Sequence, residues 1–269
     1  MDKKIGFIGT GNMANAIIHG IINSGIAPAS QIVVFDVDTS KTQALSAEVG
    51  TVTAQSAPEL ANACDIVFLA IKPHIVPAVL KEIASTIKSN HVLVSIAAGV
   101  TLGQLAEQAG YNAKIVRVMP NTPAMVNAGM SSLTANSLVE EQELADITAI
   151  FNSFGRSAVG PENLIHAVTG ISGSSPAYVF MFIEALADAG VLGGLPRAQA
   201  YQFAAQTVLG AAKMVLETGE HPAMLKDMVC SPGGTTIEAV KTLEEKGFRS
   251  AVIDAVVSCM DKSKKLSEK

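Results

Sequence analysis

The segment Lys4–Ala14, with the sequence KIGFIGTGNMA, constrains the fold of this chain more than any other stretch. A short apolar run, Ile5–Ile8, leads directly into Gly9, Gly11 and Ala14, and apolar residues then recur at helical spacing over the next ten positions. A buried strand that enters a glycine-rich turn and then a helix is the context in which G-x-G-x-x-[GA] indicates dinucleotide binding. Outside that context, the same glycines indicate only a turn.

Each position of this motif has its own physical purpose. Gly9 permits a tight turn, Gly11 lets the backbone approach a pyrophosphate, and Ala14 keeps the helix close to the sheet. The amides of Asn12 and Met13 begin the helix, where the helix dipole favours an anion. The motif therefore predicts a nucleotide site at the N-terminus of the chain.

Strand-like and helix-like segments alternate through the first half of the chain. Further buried strands are predicted at Gln31–Phe35, Thr51–Ala54, Asp65–Ile71, His91–Ile96 and Lys114–Met119. Near-continuous apolar strands separated by helices predict a parallel sheet that is covered on both faces, in a Rossmann-like, doubly wound α/β fold. Ligands of such sheets bind beyond the carboxyl ends of the strands. Polar or glycine-rich connections follow these ends at Gly9–Met13, Asp36, Ile71–Pro73, Ala97–Gly99 and Asn121.

The pattern changes near Pro161. Two short strands, Gly129–Thr134 and Ser157–Val159, are predicted around a helix at Glu140–Phe154, and only helices follow from Glu162 onward. We therefore expect a dinucleotide-binding domain over residues 1–161 and an all-helical dimerisation and substrate-binding domain over residues 162–269.

One helix of this second domain is apolar on nearly every face. It covers Pro176–Leu192, and a helix of this kind must be buried. The remaining helices can hardly surround it, so a second subunit is the expected cover. The sequence predicts a homodimer through the helical domain.

A second loop that could bind a ligand is Cys230–Gly234, with the sequence CSPGG. It breaks one helix, and Thr235 and Glu238 have the spacing that caps the next helix. Its two glycines let the backbone approach a small ligand closely. The amides of Gly234–Thr236 suit a carboxylate, and the Thr236 hydroxyl can both donate and accept a hydrogen bond beside it. An ordinary helix–loop–helix turn has the same spacing.

Composition excludes several classes of function. The 269 residues carry a net charge of −5 and no basic cluster, which argues against a nucleic-acid partner. The most apolar segment, Ala177–Leu195, contains Glu184 and Asp188 and is a poor membrane span. Neither the histidines nor the cysteines have the spacing of a metal site, and three cysteines without CxxC spacing indicate reduced thiols in a cytoplasmic protein.

Seven motifs occur in order along the chain. They are FIGTGNMA at Phe7–Ala14, FLAIKPH at Phe68–His74, SIAAGVT at Ser95–Thr101, MPNTPA at Met119–Ala124, VTGISGSSPAYVF at Val168–Phe180, GLPRAQA at Gly194–Ala200 and LKDMVCSPGGTTIEA at Leu225–Ala239. With these motifs, the chain resembles the Δ1-pyrroline-5-carboxylate reductases over essentially its whole length. That family catalyses the last step of proline biosynthesis.

The resemblance implies a set of site residues. It assigns a nicotinamide cofactor, NADP or NAD, to Ile8, Gly9, Thr10, Gly11, Asn12, Met13, Ala70, Ile71, Lys72, Pro73, Ala97, Ala98 and Gly99. It places the substrate around Ser231, Gly234, Thr235 and Thr236, with Glu162 near the substrate and the nicotinamide. It also implies dimers through the helical domain that can assemble into a decamer of five dimers.

The implied reaction needs no strong general acid, because the substrate is a cyclic imine that can enter protonated. We expect Thr236 to be the catalytic residue, with its hydroxyl on the ring nitrogen, and the loop amides to hold the carboxylate. Most of the acceleration would then come from positioning the imine carbon beside the nicotinamide.

Asp36 bears on the choice of cofactor. It lies 25 residues after Gly11, where an acid usually hydrogen-bonds the ribose of NAD. Many members of the resembled family prefer NADP and have a small polar residue there. A carboxylate would repel the 2′-phosphate, although Lys41 or Thr39 could offset this, so NADH is expected to be a competent donor.

Two other classes of protein remain as alternatives. A β-hydroxyacid-dehydrogenase-like or imine reductase enzyme has a similar N-terminal domain, but the lysine and asparagine of the former's catalytic helix correspond to Val179 and Phe182 here. A non-catalytic nucleotide sensor on the same scaffold would not need to keep the Ser231–Thr236 loop.

Overall fold

The computed structural model describes residues 1–267, which form two compact units. The first contains Met1–Ser174 together with the residues from Cys259 onward, and the second is Ser175–Ser258. The first unit thus extends beyond the predicted domain boundary at 161/162, and the last two residues of the predicted helical domain lie outside the described chain. As a division of function, that boundary stays a prediction.

Eight strands form one sheet in the order β3-β2-β1-β4-β5-β6-β7-β8. They are β1 Ile5–Ile8, β2 Ile32–Phe35, β3 Val52–Thr53, β4 Ile66–Leu69, β5 Val92–Ser95, β6 Lys114–Met119, β7 Gly129–Ala135 and β8 Gly155–Val159. The first six strands are parallel in the order 3-2-1-4-5-6, which is typical of dinucleotide-binding sheets. β7 pairs antiparallel to β6, and β8 pairs parallel to β7. The prediction of a doubly wound, mainly parallel sheet is confirmed.

Helices cover both faces of this sheet. They are α1 Asn12–Asn23, α2 Thr39–Val49, α3 Ala57–Ala63, α4 Val76–Ile83, α5 Leu102–Ala109, α6 Glu141–Asn152 and the one-turn helix α7 Ile165–Val168. On one face Phe7 stacks on Phe68 with the ring centroids 4.4 Å apart, and Phe151 and Phe154 of the α6 region continue the aromatic cluster. A second apolar cluster fills the other face, as expected for strands buried on both sides.

Strand β1 lies unusually close to helix α3. A Cβ atom at Gly6 would come within 2.4 Å of the Leu60 side chain and 2.9 Å of the Cys64 sulfur, so a larger residue there would force these side chains to move. Cys64 is buried beneath the strand. Burial raises the pKa of its thiol to about 12, and the charge of Asp65 adds to the increase.

Side chains cap the starts of two helices of the first unit. At α5, the Thr101 hydroxyl accepts a hydrogen bond from the Gln104 amide, and the Gln104 side chain accepts one from the Thr101 amide. At α3, the Ser56 hydroxyl accepts a hydrogen bond from the Glu59 amide, but the Glu59 carboxylate accepts one from the Gln55 amide instead of the Ser56 amide.

The segment after β8 is helical, as predicted, but irregular. A 3₁₀ turn at Glu162–Leu164 precedes α7, and a π-helical turn follows at Thr169–Gly173. The sequence pattern does not predict this π turn, in which Gly173 lies against the end of the Met119 side chain. Such turns recur near functional sites.

The second unit is built from helices with almost no core of their own. They are α8 Ser175–Leu192, α9 Arg197–Thr218, α10 Pro222–Val229, α11 Thr235–Glu245 and the first half of α12 Phe248–Ser267. Its buried apolar residues are three alanines, Ala187, Ala200 and Ala204. Phe180 and Met181 of α8 are 63% and 68% exposed. A single chain therefore leaves uncovered the helix that we expected to be buried.

By length and composition alone, the helical stretch Glu162–Leu192 is also long and apolar enough to cross a membrane.

Candidate active site

A cleft of about 560 Å³ lies at the carboxyl ends of β1, β2, β4, β5 and β6, where ligands of such sheets bind. Most of the predicted cofactor residues line it. These are Ile8, Gly9, Gly11, Asn12, Met13, Asp36, Ala70, Ile71, Lys72 and Ala98. Residues far apart in the sequence thus meet on one surface because parallel strands bring their carboxyl ends together.

The glycine loop shows why each glycine is needed. Gly9 has φ +97°, its amide donates to the Phe35 carbonyl at 2.7 Å, and a Cβ there would lie 2.4 Å from the Ala70 carbonyl oxygen. A Cβ at Gly11 would meet no protein atom within 4 Å, because Gly11 faces the cleft. Helix α1 begins at Asn12 without a side-chain cap or an acidic residue in its first turn, so its first amides remain available to an anion. The loop fits a dinucleotide pyrophosphate.

Asp36 is fixed by its neighbours. One carboxylate oxygen, Oδ2, accepts hydrogen bonds from the Thr10 amide at 2.8 Å and the Thr10 hydroxyl at 3.0 Å, and Oδ1 accepts one from the Asp38 amide at 3.0 Å. Burial favours a higher pKa for Asp36, but these hydrogen bonds and the charge of Lys41 lower the pKa below its ordinary value. The carboxylate is therefore ionised at neutral pH.

Five predicted cofactor residues lie at the strand ends but outside the cleft lining, namely Thr10, Pro73, Ala97, Gly99 and Asn121. Thr10 is buried and turned towards Asp36. The Asn121 side chain donates to the Ser172 carbonyl at 3.0 Å and accepts from the Met130 amide at 2.8 Å. Asn121 thus ties the end of β6 to β7 and to the π turn, so its amide is already occupied.

Several lining residues were not predicted from the sequence as site residues. They are Ala14, Phe35, Val37, Lys41, Ile75, Val79, Ile96, Met119 and Pro120. Most are apolar and flank the predicted positions at the same strand ends. The strand-end rule locates them, although residue type alone gives no reason to single out an apolar side chain.

An ion pair in the first unit was also missed. The Arg117 guanidinium lies 2.7 Å from Glu162 Oε1, which also accepts the Leu102 amide at 2.7 Å. The Arg117 side chain is 6% exposed and that of Glu162 is 32% exposed. An arginine inside the apolar strand KIVRVM is the sequence feature that indicates a buried partner.

The loop Ser231–Thr236 belongs to the second unit. Pro232 and Gly233, which has φ +66°, occupy the centre of a tight turn that the Gly234 amide closes by donating to the Ser231 carbonyl at 3.0 Å. The prediction that Thr235 caps the next helix is wrong, because α11 begins at Thr235 and Gly234 is its N-cap.

This shift changes which amides of the loop are available. The Gly234 amide is used within the turn, so the open amides are those of Thr235, Thr236 and Ile237. Within residues 1–267, the hydroxyls of Thr235 and Thr236 make no hydrogen bond, and Thr236 is half-buried. The loop therefore offers an anion site with an adjacent hydroxyl.

No group of three or more histidine, cysteine or acidic side chains suited to a metal ion occurs among the described residues.

Comparison with known proteins agrees with this arrangement. Residues 4–99 match the family model described as "NADP oxidoreductase coenzyme F420-dependent", and residues 162–266 match "Pyrroline-5-carboxylate reductase dimerisation". The chain is 61% identical to a pyrroline-5-carboxylate reductase of Escherichia coli over the full length of both chains.

Two solved structures are similar along the whole chain. The pyrroline-5-carboxylate reductase of Coxiella burnetii superposes with a TM-score of 0.95 at 36% identity and full coverage of both chains. The Plasmodium falciparum pyrroline carboxylate reductase, solved with NADP bound, gives 0.88 at 36% identity and covers 99% of this chain and 98% of that one. The match to a dimerisation domain identifies the helical region as one that associates with another subunit. The chain belongs to the pyrroline-5-carboxylate reductase family of oxidoreductases.

Proposed function

We propose that this protein reduces the cyclic imine 1-pyrroline-5-carboxylate to L-proline with NADPH or NADH, as the final step of proline biosynthesis. The observation that carries this proposal is the strand-end cleft, in which Gly11 faces open space beside the uncapped start of α1. This arrangement accepts a pyrophosphate, and full-length relatives carry the name of the reductase.

The bound dinucleotide supplies the hydride that reduces the C=N bond. The chain itself positions the reactants. The first amides of α1 and the backbone of Gly9–Met13 hold the pyrophosphate, while the strand ends around Ala70–Lys72 and Ala98 form a further part of the cleft wall. Because the imine enters protonated, no residue has to act as a strong acid, and positioning carries most of the acceleration.

We assign the substrate to Ser231, Gly234, Thr235 and Thr236, and we place Glu162 near it. The open amides at the start of α11 suit the substrate carboxylate. The Thr236 hydroxyl, which has no partner in residues 1–267, is available to hydrogen-bond the ring nitrogen, and we propose Thr236 as the catalytic residue. Gly234 would then shape the turn instead of donating its amide.

We further propose a cytoplasmic homodimer through the helical domain of residues 162–269, which can assemble into a decamer of five dimers. The exposed apolar surface of α8 and the small core of the second unit support the dimer. A net charge of −5 without a basic cluster supports the absence of a nucleic-acid partner, and Glu184 and Asp188 in α8 oppose a membrane span.

The experiment follows reduced nicotinamide by absorbance after 1-pyrroline-5-carboxylate is added to the purified protein, with proline measured by chromatography. We expect oxidation of the cofactor and stoichiometric proline. Cofactor binding without oxidation of either NADH or NADPH would contradict a reductase and favour a nucleotide sensor.

A further inference from the structure

We infer that Asp36, supported by Asp38, makes this enzyme prefer NADH to NADPH. The inference rests on the proposed function and adds the identity of the hydride donor. It concerns the turn after β2, where the adenosine ribose of a dinucleotide lies in folds of this kind.

Asp36 is held so that it cannot turn away from the cleft. Its carboxylate accepts three hydrogen bonds, two from Thr10 and one from the Asp38 amide. A carboxylate has about four acceptor sites, so one remains for a ribose hydroxyl. The residue therefore presents a fixed acceptor that suits the 2′-hydroxyl of NADH and repels the 2′-phosphate of NADPH.

The amino end of α2, which would otherwise suit a phosphate, is occupied by a carboxylate of the chain. Asp38 is the N-cap of this helix, and its Oδ1 accepts the amide and the hydroxyl of Ser40 at 3.2 and 2.5 Å. A carboxylate of the chain itself thus occupies the position in which a helix start binds an anion.

The turn after β2 carries more negative than positive charge. Lys41 lines the cleft here, and its Nζ lies 3.5 Å from Asp38 Oδ2. Asp36, Asp38 and Lys41 together carry a net charge of −1. Lys72, the other cation in the lining, follows β4, which is separated from β2 by β1. Lys41 thus shares its charge with two carboxylates of the chain, and the turn stays negative where a 2′-phosphate would lie.

The test measures binding directly, by titrating the purified full chain with NADH and with NADPH and following nicotinamide fluorescence. We expect NADH to bind at least about tenfold more tightly, since a doubly charged phosphate faces a fixed carboxylate. The kcat/KM values with the two donors should show the same order.

Three variants separate the effect of the Asp36 and Asp38 charges from the effect of the Thr10 hydroxyl bond that holds Asp36. Asp36→Ser should bring the two dissociation constants together, and the double change Asp36→Ser with Asp38→Ser should favour NADPH, because serine still caps α2 without a charge. Thr10→Val removes the hydroxyl bond to Asp36 but keeps its charge and its hydrogen bonds from the Thr10 and Asp38 amides, so NADH should remain the tighter ligand.

A wild-type protein that binds NADPH as tightly as NADH would overturn this inference while leaving the proposed reductase intact. The same holds if Asp36→Ser leaves the ratio of dissociation constants unchanged. Failure to bind either dinucleotide would instead overturn the proposed function together with the inference.

Discussion

Gly9 and Gly11 are two residues apart, but a methyl group at each would meet different surroundings. At Gly9 it would collide with the Ala70 backbone, and φ is +97°. At Gly11 it would enter the cleft without touching protein, and φ is −72°.

Alanine at each position should therefore have distinct effects. Gly9→Ala should lower the melting temperature and abolish dinucleotide binding, because the main chain must move. Gly11→Ala should keep the wild-type melting temperature and lose at least about tenfold in affinity for both cofactors, since its methyl group takes the space of the pyrophosphate. Differential scanning fluorimetry and cofactor titration measure both effects. Tight cofactor binding by Gly11→Ala would contradict the orientation assigned to the loop.

Thr236→Ala tests the proposed catalytic hydroxyl. We expect kcat/KM to fall about 10- to 100-fold, the loss typical of one oriented hydrogen bond, and Thr236→Ser to recover most of the activity. Thr242→Ala is a matched control in the same helix, because the Thr242 hydroxyl only donates to the Glu238 carbonyl. Steady-state kinetics of the three variants decide the matter, and full activity in Thr236→Ala would rule out the role.

At the scale of elements, the Arg117–Glu162 pair joins three parts of the first unit. Arg117 lies on β6, Glu162 opens the helical segment after β8, and the Leu102 amide begins α5. The two partners are not equally buried, and this asymmetry predicts unequal effects of their removal.

Glu162→Gln should lower the free energy of unfolding by about 2–3 kcal/mol, because it leaves the buried Arg117 charge without a counterion. Arg117→Met should lower the free energy of unfolding by about 1 kcal/mol, since the partly exposed Glu162 carboxylate stays hydrated and keeps its hydrogen bond from the Leu102 amide. The exposed pair Lys213–Glu217 provides a control, and Glu217→Gln should change stability by less than about 0.5 kcal/mol. Urea denaturation measures all three, and a larger effect for Arg117→Met would contradict the assignment of burial.

The elements themselves were largely predictable because their signals are local. The apolar runs of β1 and β6 each lie within a few neighbouring residues, and both predicted strands are confirmed. The π turn was not predicted, and one contact that holds it, from the Asn121 side chain to the Ser172 carbonyl, joins residues 51 positions apart.

The same distinction applies to the candidate site. The cleft could be located from strand ends, but the Thr10–Asp36 link joins residues 26 positions apart and is visible only once β1 and β2 are paired. The cap of α11 was predicted one residue too late. Thr235 and Glu238 have the spacing of a capping box, but the N-cap is Gly234.

At the scale of the whole molecule, the second unit exposes apolar side chains that association can cover. Its core consists of small side chains, whereas Phe180, Met181 and Phe203 are each more than half exposed. Burial of each such side chain contributes about 1.5–3 kcal/mol to the free energy of unfolding, and a single chain lacks this contribution.

Phe180→Glu and Met181→Glu should therefore shift the protein towards monomer and lower its melting temperature. The wild-type melting temperature should rise with protein concentration, as expected when folding and association are linked. Tyr111 is 76% exposed in the first unit, so Tyr111→Glu is a control that should leave association unchanged. Light scattering after size-exclusion chromatography measures the mass, and an unaltered oligomer in both α8 variants would argue against an interface on α8.

The rate at which Cys64 is chemically modified can report local opening of the first unit. Its thiol is buried between β1 and α3 and keeps its proton at neutral pH, so an alkylating reagent can reach the reactive thiolate only when these elements separate. The rate of its modification, resolved by mass spectrometry from the half-buried Cys230 and Cys259, thus reports how often the strand that carries the glycine loop detaches from its neighbours. A bound dinucleotide that spans the ends of β1, β2 and β4 should slow this reaction in proportion to its affinity.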